Sequence, residues 1–346
     1  MESQIVDSIV MPENTPYDVA AWGPASLSNL GPGFDVLGLA IQGLGDIVSL
    51  RLLGESGFSV RVTGPEWIDD VPTNEELNTA AVAVRRLFRN AGVETGAEIT
   101  IHKGVPLGSG IGGSAASAAA GAFAAAEAVR LLTGEEPDFD TIVQAALAGE
   151  RIASGAIHGD NVVPSLVGGL CLVDPTNPIE YQRLGFLGEC GVILLLPEAR
   201  VLTKTARAIL PDTVRLSSTA SQAHRLASML IALGEDDWTQ AGKAMMSDDL
   251  VEPYRAAHVV GYETVRAAAI EAGAFACGLS GSGPAMFALT APGSASTIDV
   301  GQAMLESMRK YNKPARIVCT RADLRGTRSV TSDDQGDAIL DDLEGK

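Results

Sequence analysis

Residues 106–116, Pro-Leu-Gly-Ser-Gly-Ile-Gly-Gly-Ser-Ala-Ala, narrow the possible folds of this chain more than any other stretch. Four glycines and two serines stand directly before an Ala-rich run whose composition predicts a helix over about 114–132, closed by Gly134. Just ahead, Glu98-Ile-Thr-Ile-His102 alternates apolar and polar residues and reads as a short strand. The unit is thus strand, glycine loop, long helix. Glycines admit positive φ and let a ligand approach the backbone closely. The first amides of a helix lack partners, and its dipole favours negative charge there. Pro106, Leu107, Gly108, Ser109, Gly110, Ile111, Gly112, Gly113, Ser114, Ala115 and Ala116 are therefore candidates for a phosphate cradle. The alternative is a tight turn whose glycines serve packing alone. The loop is not a Walker A motif, because no Gly-Lys-Ser/Thr ends it. Gly108, Gly110 and Gly113 have dinucleotide-fingerprint spacing, but no acidic residue stands at a strand end ~20 residues on.

The rest of the chain sets the class. Its 346 residues suit one large domain or two ordinary ones, and 46% apolar residues suffice for a substantial core. The net charge of −18 argues against broad binding to nucleic acid or an anionic membrane surface. Only six of the 25 basic residues are Lys, a pattern that suits a salt-rich cytoplasm and suggests a halophilic source. No run approaches ~18 consecutive apolar residues, and the first residues lack the basic and apolar regions of a secretory signal. Cys171, Cys190, Cys277 and Cys319 are scattered, so reduced thiols are expected rather than a disulfide or zinc framework. A cytoplasmic location follows as an expectation.

Residues 1–16 read as an extension and 326–346 as a flexible acidic tail. Alternation in Ile47–Leu52 and Phe58–Val62 predicts strands. Helical spacing occurs over 75–92 and about 138–154. Gly191-Val-Ile-Leu-Leu-Leu reads as a strand, followed by helices near 203–210, 217–233, 237–247 and 258–272. Strands at 285–289 and 315–320 and a helix at 296–312 close the pattern. Domain boundaries are expected at 17–175 and 176–325.

Three further clusters concentrate turn formers with polar groups: Asn29-Leu-Gly-Pro-Gly-Phe-Asp35, His158-Gly-Asp-Asn-Val-Val-Pro164, and Gly278-Leu-Ser-Gly-Ser-Gly-Pro-Ala285. Taken with the 106–116 loop and in this order, they resemble the GHMP kinase superfamily, and within it the homoserine kinases. Thr203-Lys-Thr-Ala-Arg207 and Glu252-Pro-Tyr-Arg255 add to the likeness, which covers about residues 18–322. The resemblance implies an α+β GHMP kinase fold. Its N-terminal part would be like the second domain of ribosomal protein S5 and bind ATP, and its C-terminal part would be ferredoxin-like.

The resemblance also implies roles. The cradle would hold the triphosphate of ATP, Ser114 and Glu150 would hold Mg²⁺, and Asn78 would contact the purine. Lys103, just ahead of the loop, would face the phosphates. L-Homoserine is a zwitterion with a terminal hydroxyl. Asp35 would pair with its ammonium, and Arg207 and Arg255 would clamp its carboxylate, since guanidinium binds carboxylate through two parallel hydrogen bonds. Asn29, Asn161 and Thr203 would face the hydroxyl and the phosphoryl path, and His158 would line the pocket. Some superfamily members carry an Asp base where Asn161 stands, so no general base is identified here. A homodimer is the expected assembly.

The chain departs from the family pattern at Gly113, where a Ser is usual, at His158-Gly159, where His-Ala is usual, and after Arg255, where Leu-Ile-Pro is missing. Other readings remain open at this stage. They are another small-alcohol kinase of the superfamily, acting on mevalonate or shikimate, a nucleotide-binding relative that has lost catalysis, and an NAD-binding dehydrogenase.

Overall fold

The computed structural model describes residues 18–65, 71–155, 158–201 and 203–330, without the side chains of Ser154 and Thr203. The extension expected at 1–16, and residues 331–346 of the expected tail, lie outside the described residues.

The first sheet is built on two long antiparallel strands, β1 (Val19–Asn29) and β2 (Gly33–Leu52). Strand β4 (Ala97–His102) pairs antiparallel with β2, and β3 (Phe58–Thr63) pairs parallel with β4. The β3-to-β4 connection carries α1 (Thr79–Asn90), as a parallel pair requires a crossover. At the other end of β2, β5 (Leu170–Val173) pairs with it and with β6 (Tyr181–Leu184). The sheet therefore continues past the boundary expected at residue 175. Residues Arg328–Ser329, expected in a flexible tail, instead form β11 against β1.

Four helices cover one face of this sheet: α1, α2 (Gly113–Thr133), α3 (Phe139–Ser154) and α4 (Gly159–Val167). Alanine dominates α2 because these helices pack close together. A Cβ on Gly121 would lie 2.8 Å from the Ala80 carbonyl oxygen of α1. Among the described residues α2 is long and apolar enough to cross a membrane, but 72% of that window is buried inside the protein. Its apolarity therefore belongs to a core helix.

The second sheet has the order β10-β7-β9-β8, all antiparallel. Its strands are β7 (Gly191–Pro197), β8 (Ala276–Leu279), β9 (Met286–Thr290) and β10 (Ala315–Arg321). The continuous apolar run of β7 is explained by burial on both faces. Val192, Leu194 and Leu196 face a central core shared with Leu27, Leu37 and Leu39 of the first sheet. Ile193 and Leu195 face a second core under α9 (Tyr262–Glu271) and α10 (Thr297–Arg309). The central core also takes in α6 (Leu216–Gly234) and α7 (Trp238–Met245). Two short helices, α5 (Thr203–Ala208) and α8 (Glu252–Ala256), carry Arg207 and Arg255 to the seam between the sheets. The α+β class expected from the motifs is the class observed.

Candidate active site

The glycine loop joins β4 to α2 at this seam. Gly108, Gly110 and Gly112 have φ of 62°, 84° and 68°, the left-handed region that glycine tolerates. Gly112 is the N-cap of α2 and supplies no side-chain cap. A Cβ there would come within 2.2 Å of Ser26 Oγ and 3.0 Å of Asn161 Oδ1, so the loop lies tightly against both residues. The uncapped first turn of α2 is suited to an anion. The second glycine loop stitches onto the first: Ser280 Oγ donates to Gly110 O at 2.8 Å, and Ala285 N donates to Ser109 O at 3.0 Å. Ser109 Oγ donates to Pro106 O at 2.7 Å. Ile111, Ala115 and Ala116 are fully buried core residues, so their side chains anchor the cradle rather than line it.

One expected ligand contact needs correction, and a second residue has a structural role as well. Lys103 was expected to face the phosphates, but its side chain is 2% exposed and its ammonium is turned beneath the loop. It pairs with Asp46 and donates to Gly113 O and Ser117 Oγ, both at 3.0 Å. Asp46 in turn accepts from the backbone amides of Gly104 and Val105 at 3.0 and 3.1 Å. An ammonium this deeply buried needs an anion nearby, and Asp46 supplies it. Asn78 was expected to read the purine, but both ends of its amide serve the backbone. Its Oδ1 accepts from Ala81 N at 3.1 Å and caps α1, and its Nδ2 donates to Pro72 O at 2.8 Å. Both residues border the chamber; the three N–H donors of Lys103 are all engaged, whereas the Asn78 amide keeps one N–H and one lone pair.

At the other end, the Asn29–Asp35 turn is held in strained backbone. Asn29, Leu30 and Asp35 have φ of 73°, 49° and 58°. Asn29 Oδ1 accepts from Asp35 N, and its Nδ2 donates to Gly281 O, both at 3.3 Å. Arg207 Nη2 reaches both oxygens of Asp35, at 2.8 and 2.6 Å. Arg255, 5% exposed, donates to Gly281 O at 2.7 Å. Burial lowers the Arg255 pKa, partly offset by Asp35. His158 Nδ1 lies 3.8 Å from Asp35. Burial pushes the His158 pKa down, more than Asp35 raises it. Asn161 Oδ1 accepts from Ser26 Oγ at 3.1 Å, at the phosphate end of α4. The side chain of Thr203 lies outside the described residues; its backbone starts α5.

Sequence reasoning missed Asp160, which stands between His158 and Asn161. It is 2% exposed, and its Oδ1 has no hydrogen-bond partner among the described residues. Burial first, and the Asp35 charge second, raise its pKa to about 7. The only signal was its place in the polar His158–Asn161 segment. Asp46 was also missed, because a lone Asp in an apolar strand does not reveal its partners.

Most of these groups, though not Arg207 or Asp46, border one chamber of about 680 Å³. It runs from the glycine loop, with Ser114 and Glu150, to Asp35, His158, Asp160 and Arg255. Ser114 is half-buried in the first turn of α2, and Glu150 is 4% exposed on α3. One carboxylate and one hydroxyl beside a phosphate cradle are hard oxygen donors of the kind Mg²⁺ prefers, with phosphates and water completing its shell. Among the described residues no three His, Cys, Asp or Glu cluster as a protein-only metal site. The residues present thus fit Mg²⁺ held jointly with a nucleotide.

Comparison with known proteins agrees with this geometry. The GHMP kinases N terminal domain matches residues 78–169, and the GHMP kinases C terminal domain matches residues 229–310. A homoserine kinase of Pyrococcus abyssi is 38% identical over 300 residues, covering 87% of this chain and 96% of that one. A homoserine kinase of Arabidopsis thaliana is 36% identical over 332 residues, covering 93% and 87%. The crystal structure of homoserine kinase from Cytophaga hutchinsonii superposes with a TM-score of 0.83 at 32% identity, covering 93% of this chain and all of that one. Such identities over nearly the full length of both partners, on a shared fold with both kinase domains present, show that the chain belongs to the homoserine kinase family of the GHMP kinases.

Proposed function

We propose that the protein transfers the γ-phosphoryl group of ATP to the side-chain hydroxyl of L-homoserine, giving O-phospho-L-homoserine for threonine biosynthesis. As a GHMP kinase the chain is an ATP-dependent phosphotransferase. The observation that carries the substrate reading is the Asp35–Arg207 ion pair, with Arg255 against the same Phe34 ring as Arg207, in the same seam as the glycine loop. Phosphoryl transfer needs positioning and charge neutralisation more than covalent help.

The amides of residues 108–114 bind and orient the triphosphate. Ser114 and Glu150 hold Mg²⁺, which when bound neutralises charge on the phosphates. Arg207 and Arg255 take the substrate carboxylate, and Asp35 takes the ammonium. The hydroxyl then points to Asn161, which lies beside Gly112 at the phosphate end. Asn29 fixes the turn that carries Asp35. The buried, unprotonated imidazole of His158 packs beside Asp35 as a neutral wall. We further propose a homodimer located in a salt-rich cytoplasm. The net charge of −18 and scarcity of Lys support the salt adaptation.

The test is ADP release by the protein with L-homoserine, mevalonate and shikimate in parallel, with and without Mg²⁺, at high and low salt. Release with L-homoserine alone, dependent on Mg²⁺, is expected. Release with mevalonate or shikimate instead, or with none of the three, refutes the reading.

A further inference from the structure

Two guanidinium groups converge on one aromatic ring. The guanidinium carbons of Arg207 and Arg255 each lie 5.3 Å from the centroid of Phe34. Phe34 is partly exposed and belongs to none of the hydrophobic cores. Like charges gathered this way repel, and the charge of Arg207 acts against protonation of Arg255. The electron-rich face of the ring offsets part of that repulsion.

Among the described residues each arginine is tethered at one end only. Arg207 Nη2 is engaged by Asp35, and Arg255 Nη1 by Gly281 O. The Nε–H of each is buried and has no hydrogen-bond partner among the described residues. A buried donor left unsatisfied is unfavourable, and guanidinium satisfies it best by gripping a carboxylate through two parallel N–H groups.

We propose that Phe34 is a positioning and specificity-determining residue: its ring holds Arg207 and Arg255 together so that both engage one substrate carboxylate, and it thereby selects alcohols that carry that group. The inference rests on the proposed function, whose carboxylate clamp it explains. The ring touches the arginines, not the reacting atoms. Flat aromatic faces also let Arg207 swing from Asp35 toward a substrate carboxylate without leaving its contact.

The test compares L-homoserine with 3-aminopropan-1-ol, which keeps the ammonium and the hydroxyl and lacks the carboxylate. Phe34→Leu keeps apolar bulk and removes the ring. It is expected to raise KM for L-homoserine about tenfold with kcat within about twofold of wild type, and to leave kcat/KM for 3-aminopropan-1-ol nearly unchanged. Phe34→Tyr and Phe34→Trp restore the ring and are expected to restore the preference for L-homoserine to within about threefold. If the leucine variant does not fold, Phe34→Met replaces it, with the urea midpoint as the check. Equal losses on both alcohols, or a tyrosine variant as impaired as the leucine one, overturn the role of the ring. Absence of L-homoserine-dependent ADP release in the wild-type protein overturns the proposed function and this inference with it. Release that keeps its carboxylate preference after Phe34→Leu overturns the inference alone.

Discussion

The two ends of the chamber settle their charges in opposite ways. Beneath the glycine loop, the side chains of Lys103 and Asp46 are 2% and 0% exposed, and backbone amides and Ser117 complete the network. At the other end, the side chains of Arg207 and Asp35 are 41% and 28% exposed. Around that pair Arg207 Nε, Arg255 Nε, His158 Nε2 and Asp160 Oδ1 are buried without hydrogen-bond partners among the described residues. The left-handed backbone of Asn29, Leu30 and Asp35 also lies at this end. The glycine-loop end is thus a braced backbone surface. The other end keeps its charges on one another, and on the proposed function a zwitterion bringing both a carboxylate and an ammonium would exchange one internal pair for two.

Breaking the brace should have the largest effect. Lys103→Met leaves Asp46 buried without its counter-ion and is expected to destabilise the fold by ~3–5 kcal/mol. Urea denaturation measures this, and adding Asp46→Asn should recover a large part. A loss under ~1 kcal/mol together with a large rise in KM for ATP would make Lys103 a phosphate ligand after all.

Breaking the exchangeable pair should be nearly as costly, but to specificity. Asp35→Asn is expected to lower kcat/KM for L-homoserine relative to 4-hydroxybutyrate by about 30- to 10³-fold, or ~2–4 kcal/mol. A ratio that stays within about threefold of wild type removes Asp35 from the ammonium role.

Protonation sharpens the contrast. In the folded chain burial keeps Asp160 protonated up to about pH 7, whereas the unfolded group ionises near ~4. Between those values the folded state binds more protons, so this group's contribution to stability falls as pH rises and is flat above pH 7. Its slope reaches at most ~1.4 kcal/mol per pH unit. Denaturation across pH 4–8 should show a shallower decline for Asp160→Asn. Some decline should remain, because burial raises Glu252 in the same direction, also to about 7. Identical slopes in both proteins would mean that Asp160 is ionised in the fold.

The smallest effect is expected at the purine side. Asn78→Ala removes the N-cap of α1 and should cost about 1 kcal/mol of stability, with KM for ATP within about twofold of wild type. A KM for ATP raised tenfold or more would return Asn78 to the base-contacting role.

The glycine loop was legible because its geometry is local. A glycine loop feeding a helix fixes left-handed turns and uncapped amides within a dozen residues, and Gly108, Gly110 and Gly112 adopt those turns. Lys103 was read by position and fell elsewhere, and Asn78 proved to cap a helix as well, since a side chain's partner is set by what folds against it. Asn78 lies at the start of a helix that opens two residues after Leu77, a residue whose apolar spacing suggested an earlier start; Leu77 is 58% exposed. Lys103 meets Asp46, 57 positions away in the chain, only because β2 and β4 lie side by side.

By itself the sequence determined most of the strands and helices and the glycine loop ahead of α2, but not β5, β6, α4, α8 or β11. The features it determined follow from periodicity, glycine backbone freedom and residue type, which act over a few neighbouring residues. Only the tertiary structure decided which charges meet. It set Lys103 against Asp46, joined Arg207 and Arg255 through Phe34, and buried Asp160 beside Asp35. Electrostatic and packing energies depend on distance and on exclusion of water, and both are properties of the seam between two sheets rather than of any segment of chain.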